Sequence, residues 1–172
     1  VGEPNAAGDR IYNGAMDNAS GTALLMEMAR RLQESGTKLR RSVLFAAVTA
    51  EEKGLLGSRY LANHPTVKAD RIVANLNTDM FMPIVPLTMI MVNGLEESDL
   101  AADARAAGEA AGLKVVSDPE PEENRFIRSD QYSFIRNGIP ALAFKFGYEF
   151  GSPDETTRLN WVRDRYHQPS DD

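Results

Sequence analysis

Arg41-Ser42-Val43-Leu44-Phe45-Ala46-Ala47-Val48-Thr49 is an almost unbroken apolar run, and Ala50-Glu51-Glu52 follows it directly. Apolar residues that do not alternate with polar ones, bounded by turns, predict a strand covered on both faces, as in parallel sheets. The segments on either side read as helices and further strands. Before the run, Ser20 to about Glu34 carries Ala23, Leu24, Met28, Ala29 and Leu32 at helical spacing, and Ser35-Gly36-Thr37 stops it. After it, Leu55 to Asn63 predicts a second helix closed by His64-Pro65, and Arg71 to Asn77 a second buried strand ending at Asp79. Leu87–Val92 and Lys114–Val116 predict strands on either side of an alanine-rich helix, Ser98–Ala111, capped at Ser98. Ser129–Asn137 predicts a short helix with a glycine stop at Gly138, and Pro140–Phe146 a last strand. Beyond it the chain is expected to stay irregular. Strands alternating with helices predict one α/β domain over residues 1–172, with a mostly parallel sheet between helices.

Composition narrows the function classes. The 172 residues suffice for one domain with a sizeable core. A formal charge of −6 with no Lys/Arg run argues against nucleic acid as a partner. No apolar stretch approaches the ~20 residues that span a bilayer. The absence of cysteine excludes disulfides and thiolate ligands, so any metal must be held by carboxylate and imidazole. The opening Val1-Gly2-Glu3-Pro4 and the abrupt end at Ser170-Asp171-Asp172 read as a piece of a longer precursor. The acidic segment Asp118–Asn124 reads as a solvated surface loop.

Four clusters of metal-capable groups stand near strand ends or in loops. Asn13-Gly14-Ala15-Met16-Asp17-Asn18-Ala19-Ser20-Gly21 precedes the first helix, where Asp17, Asn18 or Ser20 can simply cap it. Glu51-Glu52 lies at the end of one predicted strand and Asn77-Thr78-Asp79 at the end of the next. Tyr166-His167 lies in the tail. Ligands of open α/β sheets bind beyond the carboxyl ends of strands, which puts Glu51, Glu52 and Asp79 at one rim. Adjacent carboxylates shielded from water ionise together only beside a positive charge, and a metal ion supplies one. Carboxylates with one imidazole and no sulfur suit zinc, manganese or cobalt in a hydrolytic site. His64, beside Pro65, reads as a surface or capping residue. No Gly-x-Ser-x-Gly elbow or Gly-x-x-x-x-Gly-Lys loop is present.

Taken in order, Asp9-Arg10-Ile11-Tyr12-Asn13-Gly14-Ala15-Met16-Asp17-Asn18-Ala19-Ser20-Gly21, Thr49-Ala50-Glu51-Glu52-Lys53-Gly54-Leu55-Leu56-Gly57-Ser58, Asn77-Thr78-Asp79, Arg128-Ser129-Asp130 and Tyr166-His167-Gln168-Pro169-Ser170-Asp171 resemble the zinc-dependent aminopeptidase family of co-catalytic metallopeptidases. That family also holds glutamate carboxypeptidases and glutaminyl cyclases. The resemblance implies a three-layer, zinc-exopeptidase-like (phosphorylase/hydrolase-like) α/β fold with a mixed, mostly parallel sheet, truncated at its N-terminus. It also implies a two-zinc site, with Asp17 bridging the ions, Glu52 and His167 completing the first, Asp79 ligating the second and Glu51 as general base. A cis Asp17–Asn18 bond is implied as well. The implied activity is an aminopeptidase acting on peptides with a free N-terminus. The alternatives are a carboxypeptidase or glutaminyl-cyclase-like enzyme on the same site, or an inactive scaffold.

Two departures from the family pattern qualify this. The family's second zinc takes a histidine from an upstream His-x-Asp motif, and nothing in residues 1–16 replaces it. This chain is therefore expected to hold one zinc or none, and to leave a sheet edge open to self-association. Gln131 stands where relatives often carry histidine, which predicts altered contacts around the site and not lost chemistry. Export from the cytoplasm is the localisation expected of this family type.

Overall fold

The structure, a computed structural model, describes residues 2–172. Four strands form one sheet: β1 (Asn75–Thr78), β2 (Met89–Asn93), β3 (Lys114–Val116) and β4 (Ala141–Phe146). Their order across the sheet is β1-β4-β2-β3. β1 pairs with β4 and β2 with β3 in parallel, whereas β2 and β4 run antiparallel, so the sheet is mixed. The helices are α1 (Ser20–Ser35), α2 (Leu56–Asn63), α3 (Leu100–Ala110), α4 (Gln131–Ile135) and α5 (Pro153–Arg165).

Two apolar clusters hold these layers. Val92 of β2, Leu142 of β4, Leu95 and Ala104 of α3 form one, joined by Ile90, Val115 and Phe144. Strand alternation turns Ala141, Ala143 and Lys145 away from the side that carries Leu142 and Phe144. Ala62 of α2, Phe134 of α4 and Ile139 form the second cluster, with Leu61 and Ile72 against it. α1 keeps its predicted boundaries and ends at Gly36 in the left-handed region (φ 62°), but only Gly21 of it is buried.

Several elements differ from the sequence reading. Residues 41–49 join no strand ladder, and Val43 and Leu44 are 50% and 56% exposed. A strand needs a hydrogen-bonded neighbour. Here the run is set off from β1 by a cavity of about 1010 Å³ lined by Leu39 to Val43, Leu76 and Asp103. Only its end is tied down, where the amide of Gly57 donates to the Thr49 carbonyl at 3.0 Å. The outer edge of β1 therefore pairs with nothing among the described residues. The strand expected from Arg71 begins at Asn75, opposite the start of β4 at Ala141.

Ser98 does not cap α3. The N-cap is Asp99, and the buried Ser98 hydroxyl has no partner. The acidic loop is not simply solvated, because Arg125 grips Asp118 at 2.9 Å and Glu120 at 2.6 Å. The tail is not irregular, because α5 occupies Pro153–Arg165. Ser152 caps α5, its hydroxyl accepting from the Glu155 amide at 3.1 Å, and Pro153 fills the first turn. His64 is a surface residue as expected. Its Nδ1 donates to the Tyr60 carbonyl at 3.2 Å, and its ring stacks on Tyr60.

Candidate metal centre

The loop before α1 is shaped by its small and amide-bearing residues. Gly14 adopts φ 68°, and a Cβ there would strike the main-chain oxygen of Asp17. The Asp17–Asn18 peptide bond is cis, as the sequence resemblance implied. Asn18, and not Asp17, does the capping: its Oδ1 accepts from the Gly21 amide at 3.0 Å. The same oxygen accepts from the Met80 amide at 3.2 Å, and Nδ2 donates to the Thr78 carbonyl at 3.2 Å. Asn18 thus joins the start of α1 to the end of β1 and leaves the Asp17 carboxylate free. From the tail, Asp171, only 4% exposed, accepts from the amides of Met16 (2.8 Å) and Asp17 (3.0 Å).

Asp17, Glu52 and His167 converge. Each offers one ligand atom, and all three atoms lie within 4.8 Å of one another. His167 Nε2 is 2.7 Å from Glu52 Oε1 and 3.3 Å from Asp17 Oδ2. The imidazole stacks on Tyr166 at 3.8 Å between ring centroids. Two carboxylate oxygens and one imidazole nitrogen, with no thiolate, match the donor set of catalytic zinc, which keeps a further position open for water or substrate. The residues present therefore fit a divalent metal.

The backbone beside these residues is unusual. Ala50 (φ 58°), Met80 (φ 49°) and His167 (φ 54°) all sit in the left-handed region without being glycine. Such conformations cost energy and cluster at functional sites. Each of the three either is a site residue or adjoins one: Glu51 follows Ala50, and Asp79 precedes Met80.

Asp79 stands apart from the converging three. Its Oδ2 accepts from the Ser129 hydroxyl at 2.6 Å and lies 3.9 Å from the ammonium of Lys145. Lys145 also donates to the Asp79 carbonyl. Behind them, Asn77 Nδ2 donates to Ser129 Oγ (3.1 Å) and Gln131 Oε1 (2.9 Å), and Gln131 Nε2 donates to the Phe126 carbonyl at 2.6 Å. Gln131 has no exposed surface, so it supports Asp79 from behind and touches no ligand.

The electrostatics follow from crowded carboxylates. Burial, then the nearby charges of Asp79, Glu52, Asp130 and Asp17, push the Glu51 carboxyl up to about 7. Burial, then Asp79 and Glu52, raise Asp17 to about 6, against the opposing pull of His167 and Lys145. Burial and the same carboxylates push the Tyr166 hydroxyl up to about 12. A group poised near neutrality is matched to proton transfer at physiological pH, and a bound dication would favour the ionised form of each carboxylate.

Sequence reasoning put Glu51, Glu52 and Asp79 at one rim and the resemblance added Asp17 and His167; the fold brings Asp17, Glu52 and His167 together with Glu51 next in sequence, leaves Asp79 outside that group, and does so without the strand expected before Glu51. Sequence reasoning missed Asn18 as the joint, Ser129 and Lys145 as the partners of Asp79, and Asp171 as the clamp. Lys145 left a visible signal, since it is the one charge inside the apolar strand Ala141–Phe146.

Comparison with known proteins agrees with this geometry. The sequence matches Peptidase family M28 over residues 2–172. It is 32% identical over 158 residues to leupeptin-inactivating enzyme 1 of Streptomyces exfoliatus, covering 87% of this chain and 34% of that protein. It is 31% identical over 162 residues to aminopeptidase YwaD of Bacillus subtilis, covering 92% of this chain and 32% of that one. The solved zinc aminopeptidase BSAP from Bacillus subtilis superposes with a TM-score of 0.67 at 30% identity, over 92% of this chain and 36% of that chain. The chain thus spans about a third of the length of the relatives it matches. With a family match along all its described residues and the ligand triad in place, this chain belongs to Peptidase family M28.

Proposed function

We propose that the protein is a zinc-dependent exopeptidase, and specifically an aminopeptidase that releases the N-terminal residue of a peptide. The observation that carries this reading is the convergence of Asp17, Glu52 and His167 beside a glutamate, Glu51, held near neutrality. The names of the relatives supply the metal and the reaction class. Asp17, Glu52 and His167 hold the zinc ion. When bound, zinc polarises the scissile carbonyl and acidifies a water. Glu51 takes the proton of the attacking water and passes it to the leaving amine. The remaining carboxylate character of the rim attracts the free ammonium of the substrate. Export from the cytoplasm and self-association through the open edge of β1 belong to the same reading.

The test has two parts. Elemental analysis after zinc loading and removal of excess should return about one zinc per chain, lost in Asp17→Ala. Cleavage of an aminoacyl p-nitroanilide should need zinc, should fail when the substrate's amine is acetylated, and should fall by roughly a hundredfold or more in Glu51→Gln with zinc content unchanged. Zinc-independent cleavage, or equal cleavage of the acetylated substrate, would overturn the aminopeptidase reading.

A further inference from the structure

Lys53 and Lys145 both stand beside the carboxylates of this rim, but they are placed differently. Lys53 follows Glu51-Glu52 directly and is exposed. Lys145 rises from β4, an inner strand of the sheet, and its side chain is only 19% exposed. On its face of the sheet the neighbours are apolar and buried, Ala143 on the same strand and Met91 opposite it on β2. A charge among such neighbours carries a desolvation cost that its contacts must offset. Here they offset it in part. The ammonium donates to the Asp79 carbonyl, a neutral acceptor, and lies 3.9 Å from Asp79 Oδ2, beyond hydrogen-bond reach. That oxygen takes its hydrogen bond from the Ser129 hydroxyl instead, at 2.6 Å. An ammonium has three donors, and no other acceptor meets this one among the described residues. Lys145 is thus an anchored positive charge with N–H groups to spare. The same charge reaches Asp17, whose pKa it lowers, so it faces the cleft that holds Asp17, Glu52 and His167.

We propose that Lys145 is a specificity residue of this site and receives a carboxylate of the substrate. The inference rests on the exopeptidase reading above and deepens it by naming a substrate class. The rim then offers complementary charges: carboxylates for the free amine of a peptide, and a fixed ammonium for an anion carried close to that amine. An N-terminal aspartate or glutamate meets this description through its side chain, and a dipeptide meets it through its C-terminal carboxylate. Both present the same chemistry to Lys145. A neutral amide of the same shape leaves the ammonium without a charged acceptor and binds less well.

Paired substrates that differ only in charge test this. Glutamyl and glutaminyl p-nitroanilides isolate the side-chain source, and alanyl-alanine with its C-terminal amide isolates the other. Each pair is compared in the zinc-loaded parent, Lys145→Met and Lys145→Arg, with zinc content measured in every sample. The expected result in the parent is a kcat/KM at least about tenfold higher for the acid of one pair than for its amide, expressed mainly in KM. Lys145→Met should bring that ratio to about one or below, and Lys145→Arg should keep most of it. Calorimetric titration with L-glutamate against L-glutamine, and with the dipeptide pair, supplies a readout that needs no turnover when done in a Glu51→Gln background. The same preference for the acid is expected there. Ratios near one for both pairs in the parent, or an acid preference that survives in Lys145→Met, overturn the proposal. Where Lys145→Met does not fold, Lys145→Gln, which can still donate to the Asp79 carbonyl, replaces it and the same ratios decide. Zinc-dependent cleavage of leucyl p-nitroanilide without any acid preference overturns the role of Lys145 alone. No cleavage of any substrate, with the acid preference present in binding, overturns the aminopeptidase reading and leaves the carboxylate site standing.

Discussion

Asp171→Asn is the substitution whose cost the structure specifies best. The buried carboxylate uses one oxygen for the Met16 amide at 2.8 Å and the other for the Asp17 amide at 3.0 Å. Asparagine has the same shape, but it can turn only one acceptor toward these two donors. Whichever way its amide is flipped, an NH₂ faces an N–H, and a buried donor is left unsatisfied. A hydrogen bond to a charged group contributes about 1.5–3 kcal/mol, so the expected loss is about 2–4 kcal/mol once the repulsive contact is included. At about 2–4 °C per kcal/mol for a chain of this size, Tm should drop by roughly 5–15 °C in circular dichroism melts. Zinc affinity should fall with it, because the freed amides belong to the turn that aims Asp17. Asp172→Asn is the control. Its neighbour contact, Asn13 Nδ2 to Asp172 Oδ1 at 2.6 Å, is exposed and neutral on one side, so the shift there should stay within about 2 °C. A melt of Asp171→Asn within that same margin, with zinc binding intact, would refute the clamp.

Two further predictions follow from the same region. Asp17 and Glu51 have folded-state pKa values raised above their unfolded values, to about 6 and about 7, so the metal-free protein should lose stability as pH rises from about 4 through 7. The climb of Asp17 from 3.8 is worth about 3 kcal/mol unscreened and about 1–2 kcal/mol after solvent screening; melts at stepped pH should show the slope flatten in Asp17→Asn and reverse on adding zinc, and an unaltered slope in Asp17→Asn would count against it. Gly21→Ala should destabilise by about 1–2 kcal/mol despite alanine's better helix propensity, because its Cβ would sit 2.8 Å from the Thr78 carbonyl and against the Asn18 side chain; a rise in Tm would show that the backbone yields there.

Much of this was legible in the sequence where local chemistry decides the outcome. Gly36 and Gly138 ended their helices, and the strands at Lys114–Val116 and Pro140–Phe146 were found within a residue. The readings that failed are those that depend on a neighbour. Arg41–Thr49 has every property of a covered strand, but coverage is a property of two segments, and in this structure the second is not alongside. Asp118 and Glu120 looked solvated because Arg125, which binds them, stands beyond the acidic run. The helix at Pro153–Arg165 is a different kind of miss. Ser152-Pro153-Asp154-Glu155 carries a cap, a first-turn proline and a glutamate at the third position, so the signal was present and unread. At the site, residue types and order gave the candidate ligands, whereas Lys145, Ser129 and Asp171 emerged only with the fold, since their partners lie 66, 50 and 154 residues away.

That last separation has a bearing on how the protein is made. His167 and Asp171 reach the Asp17 turn from some 150 residues further along the chain, so the centre cannot assemble on a nascent chain until the segment through Asp171 has left the ribosome. Contacts of such sequence separation carry a large loop-closure cost and form late. Until then Asp17, Glu51 and Glu52 are an incomplete set of weak oxygen donors. Metal capture by the proposed centre would thus wait for this segment, and deletion of residues 166–172 should yield a chain that takes up no metal at Asp17 and Glu52.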